Sequence, residues 1–313
     1  MSKQLIDQGA QLRTLYRSYV RWLNGGAYNQ GKMAVETTFM QAVEPFSTLF
    51  FDAYGVLYGG ATQQQGVADA MQHLRDQGKT IRLLSNNGHE SLPSIQQKLA
   101  QRHVHFEISE LITSGMVVSD YLQRSTLRNT PYLLIGSAQS RAAYAPNPDQ
   151  LERPPGDNRL AQSPPRSLLV CSDSLYWDTP YQPHVEAIMS RQSLPMLVAN
   201  PDMVVPLPDG GWMPVAGHAA LDLNQRHGAP FIGLGKPFSP VFEKALASVP
   251  HVPLEEIVMI GDTPETDILG GNRMGLKTCL VGSGTLAHMD LSWRDYCAEQ
   301  SILPDFFVPA VSP

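Results

Sequence analysis

The chain has 313 residues and a formal net charge of −6, and 42% of its residues are hydrophobic against 17% that are charged. This balance excludes a chain that is disordered throughout and a small disulfide-stapled protein, because enough apolar side chains are present for a sizeable core. An acidic chain has no electrostatic attraction for nucleic acid or for an anionic membrane surface. We therefore expect neither nucleic acid nor a membrane among its partners.

The first predicted element is an amphipathic helix near the N-terminus. Residues 3–23 place leucine, tyrosine and valine side chains at helical intervals, with Arg13, Arg17 and Arg21 on the other side. With only three arginines in an acidic chain, packing on the chain's own core or on a partner subunit is favoured over a membrane surface. This leaves a homodimer open.

From residue 47 onward, short apolar runs end in small or polar residues, and most precede a helical stretch. The runs are LFF before Asp52, IRLLS before Asn86, LIT before Ser114, YLLIG before Ser137, SLLVC before Ser172, MLVA before Asn200, FIGLG before Lys236, IVMIG before Asp262 and CLVG before Ser283. Strands that alternate with helices predict βαβ units and a mainly parallel sheet covered on both faces. The predicted fold class is α/β, with an exposed proline-rich loop over residues 146–166.

The cysteines and the hydropathy pattern indicate the compartment. Cys171, Cys279 and Cys297 lie far apart and form no CxxC pair, so we expect reduced thiols rather than a zinc site or a disulfide framework. The N-terminus is too polar for a secretory signal, and no stretch approaches the ~20 apolar residues of a membrane span. The predicted location is cytoplasmic.

Four of the predicted strands end in residues with chemical function. These are Asp52, Ser85 with Asn86, Lys236 and Asp262. Open α/β sheets bind ligands at the carboxyl ends of their strands. A carboxylate to attack, a hydroxyl and an amide to hold an oxyanion, an ammonium and a second carboxylate for a divalent cation together indicate phosphoryl transfer. Each residue alone is common in turns and helix caps, but their order and strand context favour a site.

The segments around these residues resemble the four motifs of the haloacid dehalogenase (HAD) superfamily. In chain order they are FFDAYGVLYGG (50–60), LLSNNG (83–88), GLGKPFSPVFEKAL (233–246) and VMIGDTPETDILGGNRMGLKTCLV (258–281). The resemblance covers about residues 47–285 and implies a Rossmann-like HAD core with a mainly parallel sheet.

The spacing of the motifs is similar to that of subclass IIA, which includes phosphatases of pyridoxal phosphate, nitrophenyl phosphate and sugar phosphates. Ser85 follows Asp52 by only 33 positions, whereas Lys236 follows Ser85 by 151, which leaves room there for an inserted α/β cap domain of the C2 type. The segment ANPDMVVPL (199–207) is similar to the cap sequence of that subclass. The implied organisation is an N-terminal helical extension (1–46), a HAD core domain (47–127 and 232–313) and a C2-type cap domain (128–231).

The resemblance implies an aspartyl-phosphate mechanism that depends on magnesium. Asp52 would attack phosphorus. The Asp52 carboxylate, the backbone carbonyl of Tyr54 and the side chain of Asp262 would bind Mg²⁺, with waters completing the octahedron.

The remaining motif residues would hold the phosphoryl group and the metal waters. Ser85, Asn86 and Lys236 would contact the phosphoryl oxygens. Asp267 would orient the metal-bound waters and Lys236 from behind, although it is also placed to cap a helix that begins at Ile268.

One position departs from the phosphatase pattern. Phosphatases of this superfamily usually have an aspartate two residues after the nucleophile, where it protonates the leaving alkoxide and later activates water, but this chain has Tyr54. A phenol is a poor base near neutrality. One alternative is therefore a catalytically impaired protein that binds a phosphorylated ligand. Another is a haloacid dehalogenase, which also has a tyrosine there but uses no metal and carries its cap between the first two motifs.

The predicted function is that of a magnesium-dependent phosphatase acting on a small phosphorylated metabolite such as a sugar phosphate, with Asp52, Tyr54 and Lys236 as the catalytic residues. His89 lies just after the second motif, where a surface or capping role is favoured over an orientation toward the site. A cluster in the predicted cap either contacts the leaving group or packs in the cap, and it consists of Asp173, Tyr176, Trp177 and Asp178.

Overall fold

The computed structural model describes residues 10–23, 34–59, 62–63, 66–127, 130–136, 160–170, 181–206, 212–286 and 292–313. The helices in these ranges are α1 (Ala10–Trp22), α2 (Phe39–Val43), α3 (Val67–Asp76), α4 (Leu92–Ala100), α5 (Ser114–Arg124), α6 (Tyr181–Met189), α7 (Ala216–His227), α8 (Ser239–Ala247), α9 (Leu269–Arg273) and α10 (Trp293–Gln300). Within the same ranges, none of the helices has the length and hydropathy needed to cross a membrane.

The strands form two main sheets and two short hairpins. They are β1 (Val35–Glu36), β2 (Thr48–Phe51), β3 (Tyr58–Gly59), β4 (Thr62–Gln63), β5 (Thr80–Ser85), β6 (Leu111–Thr113), β7 (Tyr132–Ile135), β8 (Ser167–Val170), β9 (Met196–Val198), β10 (Val204–Pro206), β11 (Trp212–Pro214), β12 (Phe231–Gly233), β13 (Ile257–Gly261), β14 (Lys277–Val281) and β15 (Phe306–Val308). β3 pairs with β4 and β10 pairs with β11, both antiparallel.

The core sheet has seven strands among the described residues, in the order β1-β15-β14-β13-β2-β5-β6, and each neighbouring pair is parallel. In this register Phe51 pairs with Ile260 on one side and with Leu83 on the other. Parallel strands are buried on both faces, which explains why β2 is a continuous apolar run, TLFF, buried along its whole length. The carboxyl ends of β13, β2 and β5 therefore lie side by side at one edge.

Apolar clusters cover both faces of the core sheet. Leu49 and Phe51 of β2 pack into the cluster that includes Leu74 of α3, whereas Phe50 faces the opposite cluster with Phe242 of α8. This alternation follows from the two-residue period of a strand, which sends successive side chains to opposite faces. The helices that link the strands thus fix the sheet from both sides.

The second sheet has the order β12-β9-β8-β7 and is also parallel throughout its described strands. One face packs against α6 and α7, with Val185 and Ala220 in the shared cluster. The other face places Leu169 and Leu197 in the same cluster as Phe50 of the core sheet. The second sheet is therefore packed directly onto the core and shares its apolar side chains.

The predicted α/β fold and mainly parallel sheet are confirmed, because each of the nine apolar runs contains a strand. The strand in the run FIGLG, β12, pairs with β9 and so belongs to the second sheet rather than to the core sheet. The predicted boundary between residues 231 and 232 falls inside this strand. The division into extension, core and cap stays a prediction.

Helix α1 is amphipathic, as its sequence predicts. Tyr16, Tyr19 and Leu23 are buried, whereas Arg17 and Arg21 are exposed. Its apolar face packs in a cluster with side chains that lie next to the core sheet and next to the second sheet. These are Met203, Val204, Trp212, Leu221, Ile268, Leu269, Leu280 and Tyr296. The helix therefore packs on the chain's own core, the first of the two favoured arrangements.

Some of the sequence predictions fall on residues outside the described ranges. They are Cys171, the cluster Asp173, Tyr176, Trp177 and Asp178, and most of the loop 146–166. The other two cysteines, Cys279 and Cys297, are buried free thiols, in agreement with the prediction made for them.

Candidate active site

A cavity of about 220 Å³ opens where the carboxyl ends of β13, β2 and β5 meet. Six of the seven sequence-predicted site residues line it: Asp52, Tyr54, Ser85, Asn86, Lys236 and Asp262. The seventh, Asp267, is buried directly behind Lys236. The four motifs thus converge on one cavity although they are spread over more than 200 residues of sequence.

Lys236 joins two of the carboxylates. Its Nζ lies 2.5 Å from Asp52 Oδ1 and 2.7 Å from Asp267 Oδ1. Burial by itself would lower the pKa of Lys236, but the negative charges of Asp267 and Asp52 outweigh it and raise the pKa above its ordinary value. Lys236 is therefore a fixed positive charge on the cavity floor.

Three carboxylates form an acidic cluster around this ammonium group. One oxygen from each of Asp52, Asp262 and Asp267 lies within 4.8 Å of the others. Burial, followed by the charge of Asp52, raises the pKa of Asp262 well above its ordinary value, although Oδ2 accepts a 2.6 Å hydrogen bond from the Thr285 backbone. An all-oxygen set of carboxylates that repel one another is the donor chemistry that Mg²⁺ and Ca²⁺ prefer.

Asp267 is held by its own loop as well as by Lys236. Residues Pro264–Ile268 form a π-helical turn before α9, and Asp267 Oδ2 accepts a 3.1 Å hydrogen bond from the backbone of Thr263. The alternative in which Asp267 caps a helix beginning at Ile268 is wrong, because Ile268 itself is the residue before α9 and its cap position has no side-chain hydrogen bond. The Asp267 carboxylate is turned toward the cavity floor instead.

Glycine makes the close approach of these loops possible. Gly55 has a φ of +87°, and a Cβ at this position would lie 2.3 Å from Asp262 Oδ2. At Gly235 a Cβ would lie 2.5 Å from Asn86 Oδ1. The glycines in DAYG and GLGK therefore leave space for the polar groups of the site.

The Asn86 side chain ties the core motifs to the segment after β9. Its Oδ1 accepts a 2.6 Å hydrogen bond from the Lys236 backbone, and its Nδ2 donates to Asp202 Oδ1 at 2.8 Å and to Lys236 O at 3.1 Å. Burial, opposed by Lys236 and reinforced by Asp52, raises the pKa of Asp202 to about 6. Asp202 was not predicted as a site residue, although ANPDMVVPL, which contains it, was singled out as a motif.

Tyr54 is turned toward the segment between the two sheets. Its hydroxyl donates a 2.9 Å hydrogen bond to the carbonyl of Pro206 in β10, and its ring meets the edge of Tyr58 at a centroid distance of 5.8 Å. The position that carries a carboxylate in related phosphatases is thus filled by a phenol that contacts the hairpin β10–β11.

Three further residues line the cavity. His89 does so, which is the orientation that the sequence did not favour. Tyr16 and Tyr19 reach the cavity from α1 and were not predicted as site residues. Their helical spacing placed them on the buried face of the helix, but no feature of the sequence indicates which surface that face covers.

Two family models match two separate segments of the chain. Residues 49–145 match a haloacid dehalogenase-like hydrolase model and residues 233–310 match a HAD-hydrolase-like model, and together they contain the four motifs. The chain belongs to the haloacid dehalogenase-like hydrolases. The resemblance inferred from the motifs is confirmed, as is the prediction of an enzyme of the hydrolase class.

Similar HAD-like proteins cover most of the chain. Glycerol-3-phosphate phosphatase from Gallus gallus is 27% identical over 282 residues, or 85% of this chain and 89% of that protein. A structure described as a possible sugar phosphatase from Cytophaga hutchinsonii superposes with a TM-score of 0.75 at 22% identity, covering 90% of this chain and 99% of that chain. Glycerol phosphate phosphatase from Mycobacterium tuberculosis in complex with calcium superposes with a TM-score of 0.66 at 20% identity, covering 86% and 74%.

Proposed function

We propose that this HAD-like hydrolase is a phosphomonoesterase that acts on a small phosphorylated metabolite through a phosphorylated Asp52. The observation that carries the proposal is the contact of one buried ammonium group, Lys236, with Asp52 and Asp267 on the floor of a cavity that Asp262 also lines. The names of the similar proteins, a glycerol-3-phosphate phosphatase and a possible sugar phosphatase, support a small polyhydroxylated phosphate ester as the substrate.

Asp52 is the proposed nucleophile. Lys236 holds its Oδ1, whereas Oδ2 accepts no hydrogen bond from any described residue. Attack of a carboxylate oxygen on phosphorus forms an O–P bond to Asp52 and breaks the ester P–O bond, and the ester oxygen leaves as an alkoxide that takes a proton from water. Water then hydrolyses the acyl phosphate, which releases inorganic phosphate and restores the carboxylate.

Lys236 and Ser85 are placed to receive the phosphoryl oxygens. Lys236 carries a permanent positive charge, and Ser85 lines the same cavity at the end of β5. Asn86 as a phosphate ligand stays a prediction. Its side-chain amide already binds the Lys236 backbone and Asp202, which supports a positioning role for that side chain.

The acidic cluster suits a divalent cation, and the resemblance implies Mg²⁺. Asp52 and Asp262, with the Tyr54 backbone carbonyl, would hold it, and Asp267 lies within reach as a further oxygen donor or as a support for Lys236. When bound, the cation neutralises the carboxylates and stabilises charge on the transferred phosphoryl group. The calcium complex of the similar Mycobacterium tuberculosis protein supports a hard cation at such a site.

Removal of divalent metal is expected to abolish nearly all turnover. Without a cation, the carboxylates of Asp52 and Asp262 would repel a phosphate dianion. The measurement is the initial rate of nitrophenyl phosphate hydrolysis with excess chelator, followed by addition of Mg²⁺. Full turnover in the chelator would contradict the metal-dependent mechanism.

Gly55→Ala is expected to lower turnover by about 10²-fold, because a Cβ 2.3 Å from Asp262 Oδ2 would displace that carboxylate. Gly78→Ala is the matched control: Gly78 also has a positive φ, +73°, but a Cβ there meets nothing within 4 Å. Both variants carry the backbone strain of a positive φ, ~1–2 kcal/mol, and Gly55→Ala adds the displacement of Asp262, so its unfolding temperature should fall at least as far as that of Gly78→Ala. Equal turnover in the two variants would show that the space beside Asp262 is not needed.

The haloacid dehalogenase alternative has less support than the phosphatase. Between Asp52 and Ser85 the described residues form only the hairpin β3–β4, helix α3 and strand β5, whereas the second sheet is inserted after β6. The acidic cluster also favours metal-dependent chemistry. The finer assignments, namely Mg²⁺, a sugar phosphate, a homodimer and a cytoplasmic location, stay predictions. Release of inorganic phosphate from a panel of phosphorylated metabolites with Mg²⁺ tests the proposed function directly.

A further inference from the structure

Helix α1 lies outside both segments that match the HAD-like hydrolase models, and yet it reaches the cavity. Toward the core it is held by the ion pair between Arg17 and Glu299, and by the Tyr16 ring, which meets the Tyr296 ring at 6.4 Å and 89°. Toward the second sheet, Trp22 packs on Phe231 with ring centroids 4.1 Å apart. The helix is therefore anchored to both units that enclose the cavity.

Two tyrosines of α1 face the cavity, and their hydroxyl groups differ. The Tyr19 hydroxyl donates a 2.6 Å hydrogen bond to the carbonyl of Pro201, the residue before Asp202, and so fixes the segment that Asn86 holds from the other side. No hydrogen bond joins the Tyr16 hydroxyl to another described residue, and its oxygen is not among the fully buried unpartnered atoms, in keeping with a side chain that lines the cavity. A hydroxyl that borders the cavity without a protein acceptor can donate a hydrogen bond to a molecule bound there.

The surroundings of Tyr16 keep its hydroxyl protonated. The side chain is 2% exposed, and it lines the cavity between the Asp262 loop and the segment that contains Asp202. Burial, followed by the charges of Glu265 and Asp202, raises the pKa of Tyr16 well above its ordinary value. The phenol can therefore donate a hydrogen bond near neutral pH.

We infer that Tyr16 is a specificity-determining residue whose hydroxyl donates a hydrogen bond to an oxygen of the alcohol portion of the substrate, an inference that rests on the proposed phosphatase function. Tyr19 is a positioning residue that holds the neighbouring wall through Pro201. The class of substrate that fits is a small phosphate ester with a second hydroxyl or other oxygen close to the ester, because the cavity of about 220 Å³ is small and its walls are rich in polar groups. A leaving group with no such oxygen would leave the Tyr16 hydroxyl unpaired.

The test compares glycerol phosphate with propyl phosphate, which has the same carbon chain without the two free hydroxyls. The wild-type chain is expected to prefer glycerol phosphate in kcat/KM. Tyr16→Phe should lower kcat/KM for glycerol phosphate about 3- to 10-fold more than for propyl phosphate, since only the first ester loses a hydrogen bond. Tyr121→Phe, which removes a hydroxyl from α5 far from the cavity, should change neither rate.

Tyr19→Phe separates contact with the substrate from a structural effect of the helix. It keeps the Tyr16 hydroxyl but frees Pro201, so it should lower kcat/KM for both esters by the same factor. An equal loss on both esters in Tyr16→Phe, or no loss, would overturn the assignment of Tyr16 and leave the phosphatase function standing. A wild-type chain without preference for glycerol phosphate would overturn it even if Tyr16→Phe did not fold. A wild-type chain that hydrolyses neither ester nor nitrophenyl phosphate would overturn the proposed function, and the assignment of Tyr16 with it.

Discussion

Asp52→Asn is expected to lower the hydrolysis of nitrophenyl phosphate by at least ~10³-fold, because an amide oxygen is not a competent nucleophile toward phosphorus. The substitution keeps the size of the side chain, and Lys236 retains its 2.7 Å contact with Asp267, so the cavity floor should keep its shape. The measurement is the steady-state rate with saturating Mg²⁺, with the thermal unfolding midpoint as a check on folding.

The matched control is Asp222→Asn, the same chemical change on the exposed side of α7. Among the residues that the structure describes, Asp222 forms an ion pair with Arg226 alone, and exposed pairs of this kind contribute ~1 kcal/mol or less, so this variant should hydrolyse the ester at the wild-type rate. Turnover near the wild-type rate in Asp52→Asn would move the nucleophile elsewhere. A wild-type chain that releases one nitrophenolate per molecule and then stops would identify the impaired, ligand-binding alternative.

The core of the fold could be predicted from the sequence because its strands are parallel and buried on both faces. Such strands are short continuous apolar runs, like TLFF in β2 and IVMIG in β13, and they stand out between polar loops. The short strands β1, β3, β4, β10, β11 and β15 were not predicted. Runs of two or three residues that are mostly exposed or partly buried have too little periodicity to be distinguished from a loop.

Which sheet a strand joins is a separate question from whether it forms. The run FIGLG reads like the other runs, but β12 pairs with β9 of the second sheet, and Lys236 enters the cavity from there. Strand pairing depends on contacts between residues far apart in sequence, and the hydropathy pattern of one strand does not indicate its partners. The packing partners of α1 are also far away in sequence, so the pattern of the helix does not predict them.

The candidate site was predicted through its motifs, since a nucleophile, an ammonium and two carboxylates follow strands in a fixed order. The motifs do not contain the hydrogen bonds that join them. Asn86 binds the backbone of Lys236, 150 positions away, and Asp202, 116 positions away. Tyr19 similarly reaches Pro201 across 182 positions. These contacts connect the core, the second sheet and α1. Because they join residues far apart in sequence, the motifs do not predict them.

Tyr54 is the motif position at which this chain departs from the phosphatase pattern of the family, and Tyr54→Asp is expected to raise the turnover of alkyl phosphates. A placed general acid–base contributes up to ~10²–10⁴-fold, and an alkoxide leaving group needs the proton that such a group supplies. Nitrophenolate leaves without one, so the rate on the aryl ester should change much less. The measurement is kcat for propyl phosphate and for nitrophenyl phosphate, each with saturating Mg²⁺.

Two features of the structure limit the expected gain from Tyr54→Asp. The phenol donates a 2.9 Å hydrogen bond to Pro206 and packs on Tyr58, and a shorter side chain gives up both contacts. Tyr54→Asn is the matched control, because it makes the same loss of size and contacts without adding an acid. Faster turnover of the alkyl phosphate in the aspartate variant than in the asparagine variant would show that a carboxylate at residue 54 can supply the proton. Equal rates in the two folded, magnesium-binding variants would mean that another group in the cavity handles the proton or that the reaction proceeds without one.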